Sequence, residues 1–350
     1  MLAFQKTDAA YGLARMETAA PVVAAGDDIL IAVEAVGICG SDVHAYEWTD
    51  GYQFLATHLP RTLGHEVSGR VVDTGRDVVG FAPGDRVVVA PVVVCGHCSA
   101  CRIGQPQFCA NRSIVGFHRD GAFAERVVVP AADCVRPPDG VDAELGALIE
   151  PLCVAGNAVD VAAVQWGDRV IVMGAGPIGV GIAWLARRAG ATGVLLIGKD
   201  DGARLAAARR LGLERTLDLD VDRDANVTAL LGGEADIVFE ATGVPESIEA
   251  GLGWLRPGGV LVATGIHARP VQFDLTRFVR LKQQLRAAYD SSPATFARML
   301  SILAENGEAL RAMITHRLPL AATLEGFEIA ASRQALKVML LAASDGGVTP

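Results

Sequence analysis

The sequence predicts an α/β chain of two domains, a small β-rich barrel followed by a doubly wound parallel sheet, and three observations carry that prediction. The first is size: 350 residues exceed the ~100–200 of one domain, and 51% hydrophobic residues supply two buried cores. A series of short β-rich runs separated by turn signals up to about residue 130 is the second. The third is a change of pattern at Asp168, after which short apolar runs alternate with helical stretches.

In chain order, residues 28–36 read as a strand that runs into Gly37-Ile38-Cys39-Gly40-Ser41-Asp42-Val43-His44. The Cys-Gly-Ser-Asp turn opens a helix, with Ser41 and Asp42 placed to accept hydrogen bonds from its orphan amides. Residues 67–72 and 86–89 are β-rich runs divided by Thr74-Gly75 and Pro83-Gly84-Asp85, the spacing of a barrel rather than of parallel α/β units. A further strand is expected over 121–129, and a helix over 145–163 interrupted at Glu150-Pro151. From Asp168 onward, strands are expected at 169–173, 193–197, 235–240 and 259–263, with helices after the first two, the second near 204–211.

Composition narrows the class. No run approaches the ~18 apolar residues of a membrane helix, and residues 1–10 lack a basic region followed by an apolar stretch, so a cytoplasmic protein is expected. Thirty-one basic against 40 acidic residues give a net charge of -9, which argues against nucleic acid or an anionic membrane as partner. The seven cysteines form an odd set, fitting reduced thiols and metal ligands better than a disulfide framework.

Four of those cysteines, Cys95, Cys98, Cys101 and Cys109, fall in one lobe of about residues 91–110, separated by two, two and seven residues. A short loop with that spacing can aim four thiolates at one tetrahedral ion, the closed arrangement of a structural zinc site. His97 then has no place in the filled shell. Cys39, His65 and Glu66 are a second set of candidate ligands, with Glu150 as a fourth; a catalytic zinc needs about three protein ligands and a position left open.

Gly174-Ala175-Gly176-Pro177-Ile178-Gly179 follows an apolar strand and opens a helix. Gly174 permits the tight turn, Gly176 lets a pyrophosphate approach the backbone, and Gly179 lets helix and strand pack closely. A dinucleotide is the expected ligand.

Taken together, 37–44, Gly64-His65-Glu66, the four lobe cysteines, Ile149-Glu150-Pro151-Leu152, 174–179 and Glu240-Ala241-Thr242-Gly243 resemble the zinc-containing medium-chain dehydrogenases/reductases, in the polyol (sorbitol) and threonine dehydrogenase branches. The resemblance runs over nearly the whole chain. It implies a GroES-like catalytic domain over 1–154, a Rossmann domain over 155–290, a C-terminal return to the first domain over 291–350, and an active site in the cleft between them. It further implies that Cys39, His65 and Glu66 hold a catalytic zinc, with Glu150 as a ligand or exchanging with its water. Ser41 would take the alcohol proton and His44 pass it to solvent. Cofactor contacts are expected from Ile178, Arg204, Gly265, Ile266, Ala288 and Tyr289, and a homotetramer or homodimer is expected of the family.

Two departures shape the expected specificity. NAD-dependent members end the second strand with a carboxylate for the adenosine ribose; counted back from Arg204, that position here is Lys199, which leans the cofactor from NAD towards NADP, although Asp200 restores a carboxylate after a one-residue shift. Threonine dehydrogenases resemble the stretch around Trp48 and Ile314-Thr315-His316-Arg317, but carry a histidine where this chain has Val92. The leading expectation is therefore a polyol, sugar or other secondary alcohol, with an amino-alcohol dehydrogenase like the L-threonine 3-dehydrogenases as the alternative and a zinc-stabilised, non-catalytic binding protein as the reading from another class. Trp48 and Phe117 are candidates for the pocket wall.

Overall fold

The strand Asp28–Gly37 organises the first half of the chain because it is apolar at every position but Asp28 and Glu34 and is almost wholly buried. In the computed structural model, which describes residues 1–343, it pairs antiparallel with Glu66–Thr74, Arg126–Pro130 and Lys337–Leu341. The resulting seven-stranded sheet also takes in Arg86–Val89, Cys134–Val135 and Ile314–Pro319. Two of its strands, Ile314–Pro319 and Lys337–Leu341, thus come from the C-terminal end of the chain. Phe4, Ile29, Ile31, Val67, Phe123 and Phe327 fill its interior.

The second half is an all-parallel six-stranded sheet in the order Thr216–Asp218, Gly193–Gly198, Arg169–Met173, Ala235–Glu240, Leu255–Ala263, Gln284–Ala287. Numbered along the chain this is 3-2-1-4-5-6, the doubly wound arrangement, in which ligands bind where the order reverses. Along the first strand Val170 and Val172 join one apolar cluster while Ile171 and Met173 join another. Both faces are covered by helices, which is why its strands read as continuous apolar runs rather than as alternation.

Most expected elements are present, with three local differences. The helical stretch is Ala143–Ala147 followed by Ile149–Ala162, so the break falls at Leu148 and leaves Glu150 and Pro151 inside the first turn of the longer helix, where proline is tolerated. Residues 121–125 are not part of a strand; Ala124 makes an isolated bridge to Ala3 before the strand begins at Arg126. The expected strand over 259–263 begins earlier, at Leu255. Among the described residues no helix is long and apolar enough to cross a membrane.

Candidate active site

The short helix Gly40–Glu47 starts at Cys39, whose amide donates to the Asp42 carboxylate at 3.0 Å. Asp42 therefore caps the helix as expected. Ser41 does not: its Oγ lies 3.3 Å from His65 Nε2. Asp42 also faces the other ring nitrogen, with Oδ1 at 3.4 Å from His65 Nδ1, and these two buried atoms have no other hydrogen-bond partner among the described residues. A carboxylate on one nitrogen is how metal-binding histidines are oriented, and the other nitrogen here meets only the Ser41 hydroxyl. Burial alone would lower the His65 pKa, but the charge of Asp42 and its contact with Cys39 outweigh it and hold the imidazole well above its ordinary value.

Glu66 takes a different path. It is fully buried, and both of its carboxylate oxygens are held by the equally buried Lys337 at 2.6 and 2.7 Å, while the same ammonium donates to Ile38 O at 3.0 Å. Gly37 makes this possible, since a Cβ there would lie 2.0 Å from Glu66 Oε2. Burial would lower the Lys337 ammonium, yet the nearby charges of Glu66, Cys39 and Glu150 raise it above its ordinary range.

Cys39, Ser41, His44, His65 and Glu150 line one cleft of about 340 Å³ together with Val92, Ile114, Phe117 and, from the second domain, Ile178, Ala241, Thr242, Gly265, Ile266, Ala288 and Tyr289. Glu66 is not on that wall. The cleft opens at the carboxyl ends of Arg169–Met173 and Ala235–Glu240, where the strand order reverses. Desolvation pushes the Glu150 carboxyl up, with His65 opposing and Glu66 adding to the shift. His44 is exposed at the cleft edge; its Nδ1 lies 2.9 Å from Thr49 Oγ1 and its ring stacks on Tyr52. Phe117 is on the wall as expected, whereas Trp48 is not: it ends the helix in the left-handed conformation, φ 57°, and lies under the Lys6 ammonium.

The four lobe cysteines place their sulfurs within 4.8 Å of one another, and among the described residues no other group of three or more metal-ligating side chains is so close. Cys98 and Cys109 sulfurs are 3.9 Å apart and Cys109 and Cys95 3.5 Å, close to the ~3.8 Å edge of a tetrahedron with ~2.3 Å zinc–sulfur bonds. The His97 and Cys98 amides help pull the Cys95 thiol down to about 6. His97 itself turns to Cys95 O at 2.6 Å and stays outside the set. Cys39, His65, Glu66 and Glu150 do not converge as closely, and Lys337 holds both oxygens of Glu66.

Each glycine of the 174–179 turn has its own geometric reason. Gly174 has φ 107°, and a Cβ on it would meet Ala241 O at 2.7 Å; one on Gly179 would meet Gly174 O at 1.8 Å; above Gly176 the space is open. That opening sits at the N-terminus of the helix Pro177–Ala189, where amides and dipole suit a pyrophosphate. At the end of the second strand Lys199 is exposed, and Asp200 is turned outward at φ 53° with its amide on Asp218. Asp201, which the sequence reading passed over, is the buried carboxylate: Arg204 reaches one oxygen at 3.4 Å and Arg333 the other at 2.8 Å. Arg204 also donates to Ala335 O at 2.8 Å. Asp201, Lys337 and Arg333 had no motif to announce them, and Asp42 was announced as a helix cap rather than as the partner of His65; these pairings are set by the fold.

A doubly wound cofactor domain, a barrel carrying a four-cysteine lobe and a cleft lined by Cys39 and His65 define a zinc-dependent oxidoreductase. Residues 25–139 match the alcohol dehydrogenase GroES-like domain and residues 177–308 the zinc-binding dehydrogenase family. The chain belongs to the zinc-containing medium-chain dehydrogenases/reductases. It is 35% identical over 303 residues to the L-galactonate-5-dehydrogenase of Escherichia coli K12, covering 86% of this chain and 87% of that one. Identity to the L-threonine 3-dehydrogenase of Shewanella baltica OS185 is 32% over 345 residues, 97% of this chain and 99% of the relative. A zinc-binding dehydrogenase from Sinorhizobium meliloti 1021, solved bound to NADP, superposes with a TM-score of 0.86 at 29% identity over 97% of this chain and 98% of that chain.

Proposed function

We propose that this chain is an NADP-linked dehydrogenase of polyols, sugars or related secondary alcohols that carries one catalytic and one structural zinc. The observation that carries the reading is the single cleft that gathers Cys39, Ser41, His65 and Glu150 on one wall and Ile178, Gly265, Ile266, Ala288 and Tyr289 on the other. The donor set fits a catalytic zinc: a thiol, an imidazole nitrogen freed by Asp42, and a desolvated carboxyl at Glu150, with Glu66 close behind under the charge of Lys337. Bound there, zinc supplies a Lewis acid for the substrate oxygen and the nicotinamide supplies the hydride acceptor or donor. Ser41 Oγ is the group that receives the alcohol proton, since it lines the cleft beside Cys39 and His65. His44, one turn further along the helix, hands the proton to solvent; burial lowers its pKa, with Glu47 opposing, which favours the neutral, proton-accepting ring. Cys95, Cys98, Cys101 and Cys109 hold the structural zinc.

Lys199 supports NADP over NAD. Its ammonium stands where a ribose-binding carboxylate would repel a 2′-phosphate, Asp200 faces away, and both oxygens of Asp201 are occupied by arginines. The residues that would line the cofactor are Gly174, Gly176, Pro177, Ile178, Gly179, Lys199, Arg204, Gly265, Ile266, Ala288 and Tyr289. An L-threonine 3-dehydrogenase-like activity is the second reading, favoured by the 97% coverage of the Shewanella relative and opposed by the apolar Val92 on the cleft wall. The strand Gln284–Ala287 ends its sheet with Leu285 exposed, an edge that supports pairing with a second copy as homodimer or homotetramer.

The test is titration of the zinc-loaded protein with NAD and NADP, followed by turnover of a polyol, sugar and L-threonine panel with the tighter binder. NADP preference that reverses in Lys199→Asp is expected. Preference for NAD in both proteins refutes the cofactor assignment, and L-threonine as the best substrate refutes the alcohol class.

A further inference from the structure

The loop that closes the cysteine lobe carries Arg112 and His118 to the mouth of the cleft. Arg112 stacks 4.9 Å over the ring of Tyr289, a cleft residue from the other domain, and forms an ion pair with Asp290, also on the cleft wall, at 3.9 Å, too long for a hydrogen bond to fill its donor edge. His118 stacks on Phe54, also a cleft residue, and receives the Ile114 amide on Nδ1 at 3.2 Å, so its Nε2 carries a proton to donate. His58 packs against His118 with ring centroids 5.0 Å apart. Arg61 is nearby, with its charge met by Asp120 at 3.1 Å. Burial lowers the His118 pKa first, and His58, Arg112 and Arg61 each lower it further, which keeps the ring neutral and leaves Arg112 as the charged donor of the group.

From this geometry we infer that Arg112, with His118 and His58, receives an anionic end of the substrate, so that the alcohol oxidised beside Cys39 belongs to a molecule bearing a carboxylate or a phosphate ester. The inference rests on the dehydrogenase reading above and adds the charge of the substrate to it. Ile114, Phe117 and Phe54 form the wall between the cationic mouth and the Cys39–His65 end, and a cleft of about 340 Å³ suits a chain of a few carbons spanning the two. Arg112 has a planar, bidentate donor edge, which matches either anion.

The test compares a neutral hexitol, the hexonate and the hexitol 1-phosphate of the same carbon chain, using the zinc-loaded protein with its preferred cofactor. One of the anions is expected to exceed the neutral hexitol in kcat/KM by about tenfold or more, and which one identifies the anionic group. Arg112→Gln is expected to cut that ratio by about tenfold through KM, and Arg112→Lys to restore part of it. Equal turnover of all three, or an Arg112→Gln loss that is the same for neutral and anionic substrates, overturns the inference and leaves Arg112 as a domain-bridging contact. Should no compound turn over, calorimetry of the hexonate and the hexitol phosphate on the cofactor-loaded protein decides: anion binding that Arg112→Gln abolishes upholds the cationic site while the dehydrogenase reading fails, and absence of anion binding overturns it.

Discussion

Replacing Lys337 with methionine tests how the second carboxylate of the site is held. The lysine is 2% exposed, sits 2.6 and 2.7 Å from the oxygens of a Glu66 that is 0% exposed, and is 271 residues away from it in sequence. Taking away one partner leaves a carboxylate with no water and no counter-charge, a loss of ~3–5 kcal/mol. At ~2.1 cal/mol/K per residue, a chain of 350 residues unfolding as one unit has an unfolding entropy of ~0.7 kcal/mol/K, so the melting temperature falls by ~4–7 °C. Unfolding of the barrel alone, with fewer residues, would enlarge the shift. The assay is thermal denaturation followed by circular dichroism at equal zinc loading, run on Lys337→Met, Glu66→Leu and the double variant. Because the double variant buries no unpaired charge, it should recover to within ~1–2 kcal/mol of the original protein. A single variant that melts within a degree of the original protein, or a double variant whose loss equals the sum of the two singles, would refute the buried-pair argument.

Four further outcomes follow from the geometry. Cys39→Ala should abolish alcohol turnover while NADP still binds; turnover near the original rate removes Cys39 from the catalytic site. A chelator should lower the melting temperature of the original protein but have little additional effect on Cys98→Ala, whose lobe has already lost a thiolate; equal chelator effects on both would argue against a structural zinc. Gly179→Ala forces a methyl to within 1.8 Å of Gly174 O, so a loss of ~1–3 kcal/mol and weaker NADP binding are expected by denaturation and titration. Burial pushes Asp133 up to about 7, with Arg119 opposing, so the folded state pays more for ionisation than the unfolded one and loses stability as pH rises through 7. Asp133→Asn should therefore melt higher than the original protein at pH 8 and show a smaller difference at pH 5; the same difference at both values refutes the assignment.

The parts of this molecule that could be read from the chain are those governed by local chemistry. Cys95 to Cys109 and Gly174 to Gly179 act through spacing, so the lobe and the phosphate turn needed no tertiary information. The apolar runs at 169–173 and 193–197 announced a sheet buried on both faces. What escaped was pairing across long separations. Nothing near Glu66 signals that Lys337 will reach it; the Gly64-His65-Glu66 motif and the family resemblance point to a ligand and say nothing of its partner 271 residues away. Trp48, expected on the pocket wall, lies elsewhere for a different reason: whether an aromatic faces a cleft depends on the backbone turn at the helix end, here left-handed, and residue type does not specify it. The same holds at the ribose corner, where attention fell on Lys199 and Asp200 while Asp201, the carboxylate that the arginines hold, carries no distinguishing neighbour in sequence.

The helix Ile149–Ala162 bears on how this protein can be recombined. Its first turn presents Glu150 to the cleft, and its middle lies so close to the next helix that a Cβ on Gly181 would sit 3.0 Å from the Ala155 methyl. Asn157 reaches Tyr289 O at 3.3 Å, and Asp160 pairs with Arg298. One rigid rod therefore carries a cleft carboxyl at one end and the packing surface of the cofactor domain along its length. A chimera joined between residues 154 and 155 would splice two halves of this rod from different parents, and any mismatch in its roll would be felt at Glu150. Exchange of cofactor domains between relatives is better made at Leu148 or after Ala163, so that the rod travels whole with one parent and the cleft keeps its alignment.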